Sequence, residues 1–556
     1  MWLGVRSMKG SELLLSCLKD NGVDTIFGYP GGSVIPFYDA LYDNKHFKHI
    51  RTAHEQGASH AADGYARSTG KPGVLVATSG PGATNTVTGI ATAYADSIPM
   101  IVITGQVTTD LLGRDSFQEV DITGMTFSIT KHNFLIRDVN EIPSVIDKAF
   151  KMATTGRPGP VLIDIPKDIF TSTVNDRAII DGTYSEEAAT VDLEKLDSII
   201  EQINESKKPM IYVGGGVKKA NASDILNEFV EKINSPVVSS VMGLGCVSRE
   251  NPLSLGMVGM HGFLENNKAV SECDLLIAIG ARFSDRVIGD PNNFAKHAKI
   301  IHIDIDESET SKNIISTTTL IGDIKNILKE ITNKVEEKNC EKWLSKINEF
   351  KGEINISEDD FHPINILKMF NEKFNKDTFV ATDVGQHQMW TAQNWKFNFP
   401  NSFITSGGLG TMGFGLGAAI GAKVGNMDKN VILVTGDGSF RMNCNEMCTL
   451  SRYNIPVTIL LLNNSTLGMV RQWQRMFFNE RFSQTDIDDC VDYVALSKAY
   501  GVDAYKAENL SDLKEILSKD IFNGPVLIEC KISKDENVYP IVPPGKAIES
   551  PILTWE

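Results

Sequence analysis

One aspartate of this chain sits between two glycines, Gly436-Asp437-Gly438, and 27 residues beyond it stands the second of two consecutive asparagines, Asn463-Asn464. Each follows an unbroken apolar run, 431–435 and 457–462. Both polar ends are therefore expected at the carboxyl edge of a parallel sheet, where open α/β folds bind ligands. A carboxylate and an amide oxygen are hard ligands suited to Mg²⁺, which prefers an octahedron of oxygens and shares its shell with substrate phosphates. One backbone carbonyl, two diphosphate oxygens and a water would complete that shell, and the glycines let the backbone approach a phosphate closely. A Gly-Asp-Gly turn alone is a weak signal. The turn and the asparagine pair at this spacing, both at strand ends, indicate a Mg²⁺–diphosphate clamp.

Other polar residues allow two readings each. Glu55 leads a helix of small residues, 58–66. It is either a carboxyl desolvated by close packing or a solvated acid favoured at a helix start. Tyr212-Val213-Gly214-Gly215-Gly216 runs a strand into three glycines but lacks the GxGxxG spacing of a dinucleotide fingerprint. Gly280, Arg282 and Arg286, and further on Asp304 and Asp306, fall at strand ends. There an acid can hold a ribose hydroxyl and an arginine a diphosphate, and structural ion pairs account for them equally well. Lys167 reads as a site residue or an exposed one, and Trp473 as a site residue or core.

The elements that must position these groups form three blocks, 8–170, 190–340 and 360–556, separated by a polar acidic segment, 171–194, and a Lys/Glu-dense one, 336–360. With 556 residues the chain exceeds what one core supports. Short β-branched runs alternate with helical patterns in every block, predicting α/β domains with mostly parallel sheets flanked by helices. Strands are predicted at 74–77, 100–104, 161–165, 210–213, 275–279, 300–305, 431–435, 457–462 and 526–528. The outer blocks echo each other: 74–80 parallels 431–436, and Gly159-Pro-Val-Leu-Ile-Asp164 parallels Gly524-Pro-Val-Leu-Ile-Glu529. Recurrence in order suggests two copies of one fold around a different middle domain, although buried strands also look alike by chance. A net charge of −16 without a basic run argues against nucleic acid as a partner. No stretch is apolar enough for a bilayer, and the first residues lack a signal-peptide core. Eight scattered cysteines without CxxC suit a reducing compartment, so a cytoplasmic location is expected. Cys444 and Cys448, four apart, are read as one packed helix face.

From Gly436-Asp437-Gly438 through Asn464 the chain resembles the thiamin-diphosphate motif. Over nearly its whole length it is similar to the catalytic subunits of acetohydroxyacid (acetolactate) synthases. The resemblance implies two related thiamin-binding domains, 8–170 and 360–556, around a middle FAD-binding domain, 190–340. It implies metal ligation by Asp437, Asn464 and the backbone oxygen of Thr466, where relatives often carry an acid. Coenzyme contacts are implied for Gly436, Gly438, Ser439, Gln386, His387, Met412 and Met469. Glu55 falls where the coenzyme-activating acid lies, and in relatives it acts across a dimer interface. FAD contacts, chiefly structural, are implied for Arg157, Gly214, Gly215, Gly216, Met260-His261-Gly262, Gly280, Arg282, Arg286, Asp304 and Asp323. The run Arg282-Phe283-Ser284-Asp285-Arg286 resembles the signature of FAD-containing synthases, with Ser284 in place of a usual Asp.

Phe117-Gln118-Glu119 and Lys167 match active-site positions, with Gln118 and Lys167 taken as catalytic. Arg286 would pair with the acceptor carboxylate. Trp473 would favour 2-oxobutyrate over pyruvate, and Val542-Pro543-Pro544-Gly545-Lys546 would help cover the site. Thr108 and Ser116 stand where relatives usually carry Pro and often Ala, near the channel where herbicides bind, so weakened sulfonylurea sensitivity is expected. The expected activity is synthesis of 2-acetolactate and 2-aceto-2-hydroxybutyrate for valine, leucine and isoleucine, by a homo-oligomer that pairs in many relatives with a small regulatory subunit. Three rivals fit less well: a flavin-dependent pyruvate oxidase lacks reason for Arg282 to Arg286 with Trp473, a glyoxylate-using carboligase lacks the activating Glu, and a catalytically dead homologue need not keep Glu55, Asp437 and Asn464.

Overall fold

The computed structural model describes residues 7–174, 192–352, 356–374, 377–487 and 491–554. Each block builds one six-stranded, all-parallel sheet. The first comprises Thr25–Gly28, Lys48–Arg51, Gly73–Ala77, Met100–Gln106, His132–Leu135 and Pro160–Pro166. The second comprises Pro209–Val213, Val237–Ser239, Ser254–Met257, Leu275–Ile279, Lys299–Asp304 and Thr318–Ile321. The third comprises Thr378–Thr382, Phe403–Ile404, Asn430–Gly436, Thr458–Asn463, Asp503–Ala507 and Val526–Lys531.

Numbered along the chain within each sheet, the first and third share the spatial order 2-1-3-4-6-5. The second has the order 3-2-1-4-5-6, that of doubly wound dinucleotide folds. The repeated landmarks of the outer blocks are thus a repeated topology. All nine predicted runs fall on strands. The strands that hydropathy does not reveal are mostly edge strands, such as Lys48–Arg51 and Asp503–Ala507, whose polar residues face water.

The outer sheets are joined by a shared core. Helix Glu55–Thr69 lies against helix Phe414–Gly425, both lined with Ala and Gly, and residues of both sheets form one continuous apolar cluster. A Cβ on Gly421 would stand 1.8 Å from the Ala61 carbonyl, and one on Gly64 2.1 Å from that of Ala418, so neither position admits a side chain.

The segments between blocks are more than connectors where they are described. Thr173–Val174 pairs antiparallel with Met8–Lys9, while 175–191 lies outside the described residues. Within 336–360, helix Glu341–Asn348 buries Trp343 and Ile347 against the middle sheet, and the Trp343 indole donates to the Pro209 carbonyl at 3.2 Å. Charge density hid this helix because its apolar side is only two or three residues wide. Cys444 and Cys448 do not share one helix: Cys444 opens a 3₁₀ turn and Cys448 lies in the helix Met447–Tyr453 that follows. No helix among the described residues is long and apolar enough to cross a membrane.

Candidate active site

In the third sheet Asn430–Gly436 pairs with Thr458–Asn463, placing Gly436 opposite Leu462 and the two polar ends side by side. Asp437 begins helix Asp437–Asn443 and is 2% exposed. Burial pushes its carboxyl up to about 6, against the opposing pull of the Lys531 ammonium and the backbone N–H of Asn464. A desolvated acid of this kind is stabilised by a cation. Asn464 donates to Gln386 Oε1 at 3.3 Å, and its own Oδ1 accepts from Thr466 N at 3.2 Å. The Thr466 hydroxyl donates to the Thr485 carbonyl at 2.8 Å and its N–H to Asn464, which leaves its carbonyl as the group to serve a ligand here.

The same cavity is lined by Gln386, His387, Met412, Gly436, Gly438, Ser439 and Met469. His387 is buried and held neutral, its imidazole pushed down to about 3 by desolvation, and its Nε2 has no hydrogen-bond partner among the described residues. Gly438 lines the cavity with backbone alone, and a Cβ there would meet Leu467 Cδ2 at 2.7 Å. Asp383, which the sequence did not single out, braces the wall by accepting from Gly415 N and Thr435 Oγ1, both at 2.8 Å. No cluster of three or more His, Cys, Asp or Glu side chains suited to a metal occurs among the described residues. One acid, one amide, a bare carbonyl and an orphaned imidazole instead fit a cation whose remaining ligands are phosphate oxygens.

A larger cavity, about 2250 Å³, adjoins the first, and Met412, Met469 and Val470 line both. Arg157, Gly214, Gly215, Gly216, Met260, His261, Gly280, Arg282, Arg286, Asp304, Asp323 and Trp473 all face it. Gly262 does not; it packs behind the wall against Asn267. The glycines are required by contact: a Cβ on Gly214 would stand 2.0 Å from the Gly280 carbonyl. Arg157 is ion-paired with Asp306 (3.1 Å) and Glu309 (2.7 Å), so of the strand-end groups Asp306 does take part in an ion pair. Arg282 instead donates to the Ala95 carbonyl and has no carboxylate partner among the described residues. Burial pushes Asp304 up to about 6 and the His261 imidazole down to about 4. Trp473 is partly exposed, with the Arg286 guanidinium 5.8 Å from its ring centroid, so it is not core.

Glu55, Gln118 and Lys167 line neither cavity. They gather at the carboxyl edge of the first sheet. Glu55 is 8% exposed and accepts from Asn85 Nδ2 at 3.0 Å. Gln118 has φ +61 and lies against Gly80, where any Cβ would stand 3.0 Å from its Cα. Glu119 is a loop staple: N–H groups of Ser116 and Gly113 hold its carboxyl below the usual range. Lys167 is exposed just past Pro166, which pairs with Gln106. Gln106 bonds both the Val120 carbonyl (2.8 Å) and Asp164 (3.0 Å), tying the Gln118 loop to the sheet. Large apolar side chains of this domain stand open, Phe117, next to Gln118, at 89% and Phe127 at 80% exposure. Asn85 carried no motif that could have marked it, and Asp164 stood out only as the end of a repeated strand.

Profiles of thiamine pyrophosphate enzymes match in chain order: the N-terminal TPP binding domain at 8–125, the central domain at 196–331 and the C-terminal TPP binding domain at 383–530. The chain is 48% identical to a probable acetolactate synthase large subunit of Methanocaldococcus jannaschii, over 97% of this chain and 94% of that one. It is 44% identical to an acetolactate synthase large subunit of Lactococcus lactis, covering 96% and 94% of the two chains. To the large subunit of acetolactate synthase isozyme 2 of Escherichia coli it is likewise 44% identical, covering 97% and 98%.

Proposed function

This chain belongs to the thiamine pyrophosphate enzymes, among their acetolactate synthase large subunits, and from that membership we propose how its residues divide the work. It decarboxylates pyruvate and joins the resulting two-carbon unit to a second 2-oxo acid, in branched-chain amino acid synthesis. With pyruvate as acceptor the product is 2-acetolactate, and with 2-oxobutyrate it is 2-aceto-2-hydroxybutyrate. The observation that carries the assignment of roles is the wall that the two cavities share at Met412, Met469 and Val470, which makes the Asp437–Asn464 cavity a neighbour of the one lined by Arg286 and Trp473.

Bound at that edge, thiamin diphosphate supplies the carbon nucleophile and electron sink that the decarboxylation needs. Asp437, Asn464 and the Thr466 carbonyl hold its Mg²⁺. The bare backbone of Gly436 and Gly438, with Ser439, Gln386 and His387, holds the diphosphate. Met412 and Met469 pack against its rings. Arg286 pairs with the acceptor carboxylate, and Trp473 meets the extra methyl of 2-oxobutyrate, a contact worth about 1–3 kcal/mol. The larger cavity takes FAD as a structural group, held by Arg157, the Gly214–Gly216 turn, Met260, His261, Gly280, Arg282, Asp304 and Asp323.

Glu55, Gln118 and Lys167 act on the coenzyme of a second copy of the chain. Glu55 does not line the clamp cavity of its own chain, and the exposed Phe117 and Phe127 of the same domain suit burial in a homodimer. A small regulatory subunit is the further partner, and the cytoplasm the location. The test is direct: purified chain with thiamin diphosphate, Mg²⁺ and FAD, offered both 2-oxo acids, forms both products. Formation of neither overturns the reading, and reduction of an electron acceptor during pyruvate decarboxylation would mark an oxidase instead.

A further inference from the structure

The loop that brings Met412 to the clamp cavity, residues 405–412, has no helix or strand of its own. Its position depends on side chains from another domain. Asp96, 6% exposed at the end of helix Val87–Ala95, accepts from Gly408 N at 2.8 Å through Oδ1 and from Gly407 N at 3.1 Å through Oδ2. Arg67, also buried, donates to Asp96 Oδ2 at 2.9 Å and to the Thr405 carbonyl at 2.9 Å, and its other side is held by Asp63. One turn earlier, Thr92 bonds Thr411 hydroxyl to hydroxyl at 2.7 Å. The fit leaves no slack, since a Cβ on Gly408 would stand 2.9 Å from Asp96 Oδ1 and 3.0 Å from Ala95 Cβ.

The same short segment is gripped from the larger cavity. Arg282 donates to the Ala95 carbonyl at 2.9 Å and Arg157 Nε to Ser97 Oγ at 2.8 Å. Residues 94–97 are therefore a point where all three domains meet, and they line the larger cavity.

We propose that Asp96 is a positioning residue for the reaction: it fixes the 405–412 loop, and with it Met412, against the thiamin coenzyme, from a segment that the flavin-side arginines hold in place. The proposal rests on the reading of the two cavities as thiamin and FAD sites. It needs both carboxylate oxygens as acceptors. An amide at this position turns one of them into a donor facing Arg67 or a glycine N–H, which leaves buried donors unmatched.

The experiment compares full-length wild type, Asp96→Asn and Asp63→Asn. Apparent Kd for thiamin diphosphate is read with Mg²⁺ present by quenching of tryptophan fluorescence, Kd for FAD by flavin fluorescence, and Tm by calorimetry. Asp63 reaches the loop only through Arg67, so Asp63→Asn reports what loosening that arginine does while both Asp96 oxygens stay acceptors. Asp96→Asn is expected to weaken thiamin diphosphate binding about ten-fold, the loss of one charge-assisted hydrogen bond, while Asp63→Asn lowers Tm and weakens that binding by clearly less. If Asp96→Asn does not fold, Gly408→Ala, on the exposed side of the loop, is expected to weaken the same Kd. An unchanged Kd in the loop or Asp96 variant, or an equal loss in Asp63→Asn, overturns the proposal. Wild type that binds no thiamin diphosphate overturns the underlying reading, and this one with it.

Discussion

The first and third domains have the same strand order and opposite kinds of edge. In each, the sixth strand sends a carboxylate to an amide at the end of the fourth: Asp164 accepts from Gln106 at 3.0 Å, and Glu529 from Asn463 at 2.6 Å. Beyond that shared brace they diverge. The third edge is closed by its own chain, with Asp437, Asn464 and His387 buried around a cavity. The first buries Glu55 outside both cavities and leaves Phe117 and Phe127 open to solvent. A duplicated sheet supplies a place for ligands, and the residues just past its strands decide whether that place is a container or a tool.

The comparison breaks most sharply at the clamp. Asp437→Asn is expected to abolish Mg²⁺-dependent acetolactate formation, by on the order of 10³-fold for the several kcal/mol that a bound cation contributes, and to lose thiamin diphosphate binding in fluorescence titration. Glu55→Gln should cost about 10²–10⁴-fold in rate, the range for one proton-transfer group, yet keep coenzyme affinity. Mixing and reassembling these two inactive variants sharpens the contrast: heterodimers would carry one intact site, and activity should return to about a quarter of wild type for random pairing of a two-fold dimer. No recovery would mean that each chain completes its own site.

Trp473→Leu should reduce the preference for 2-oxobutyrate over pyruvate by roughly ten-fold or more, read from product ratios with both acids competing. Asp164 gives a smaller effect, visible in stability. Burial pushes its carboxyl up to about 7, so the folded chain binds a proton more tightly than the unfolded one. That contribution is fully present below the unfolded carboxylate range near 4 and is lost as pH rises towards 7. Asp164→Asn should flatten the decline in Tm across this window and stabilise the protein at pH 8 by on the order of 1 kcal/mol. The smallest effect is expected at Thr108, whose φ of −64 suits proline. Thr108→Pro should leave activity intact and increase sulfonylurea inhibition, measured as a dose–response curve.

The clamp was legible in the sequence because metal chemistry demands particular residue types at strand ends, and apolar runs locate those ends. The duplicated fold was legible for the same reason. Glu55 was not, since a helix-start acid looks alike whether solvated or buried, and only the Ala/Gly packing against Phe414–Gly425 distinguishes the two. Asp96, Asn85 and Asp383 left no trace because their partners, glycine N–H groups, the Arg67 guanidinium, the Glu55 carboxylate and the Thr435 hydroxyl, are brought near only by tertiary contact. The helix at Glu341–Asn348 was hidden by its own charges.

The seam between helices Glu55–Thr69 and Phe414–Gly425 also sets a timetable for biosynthesis. The 345 residues from Thr69 to Phe414 take roughly 20–70 seconds to translate at about 5–20 residues per second. Through that interval the nascent first domain shows a small-residue face whose only close-fitting cover has not yet been made. Ribosome-bound chains arrested before Phe414 should therefore be those that engage chaperones most.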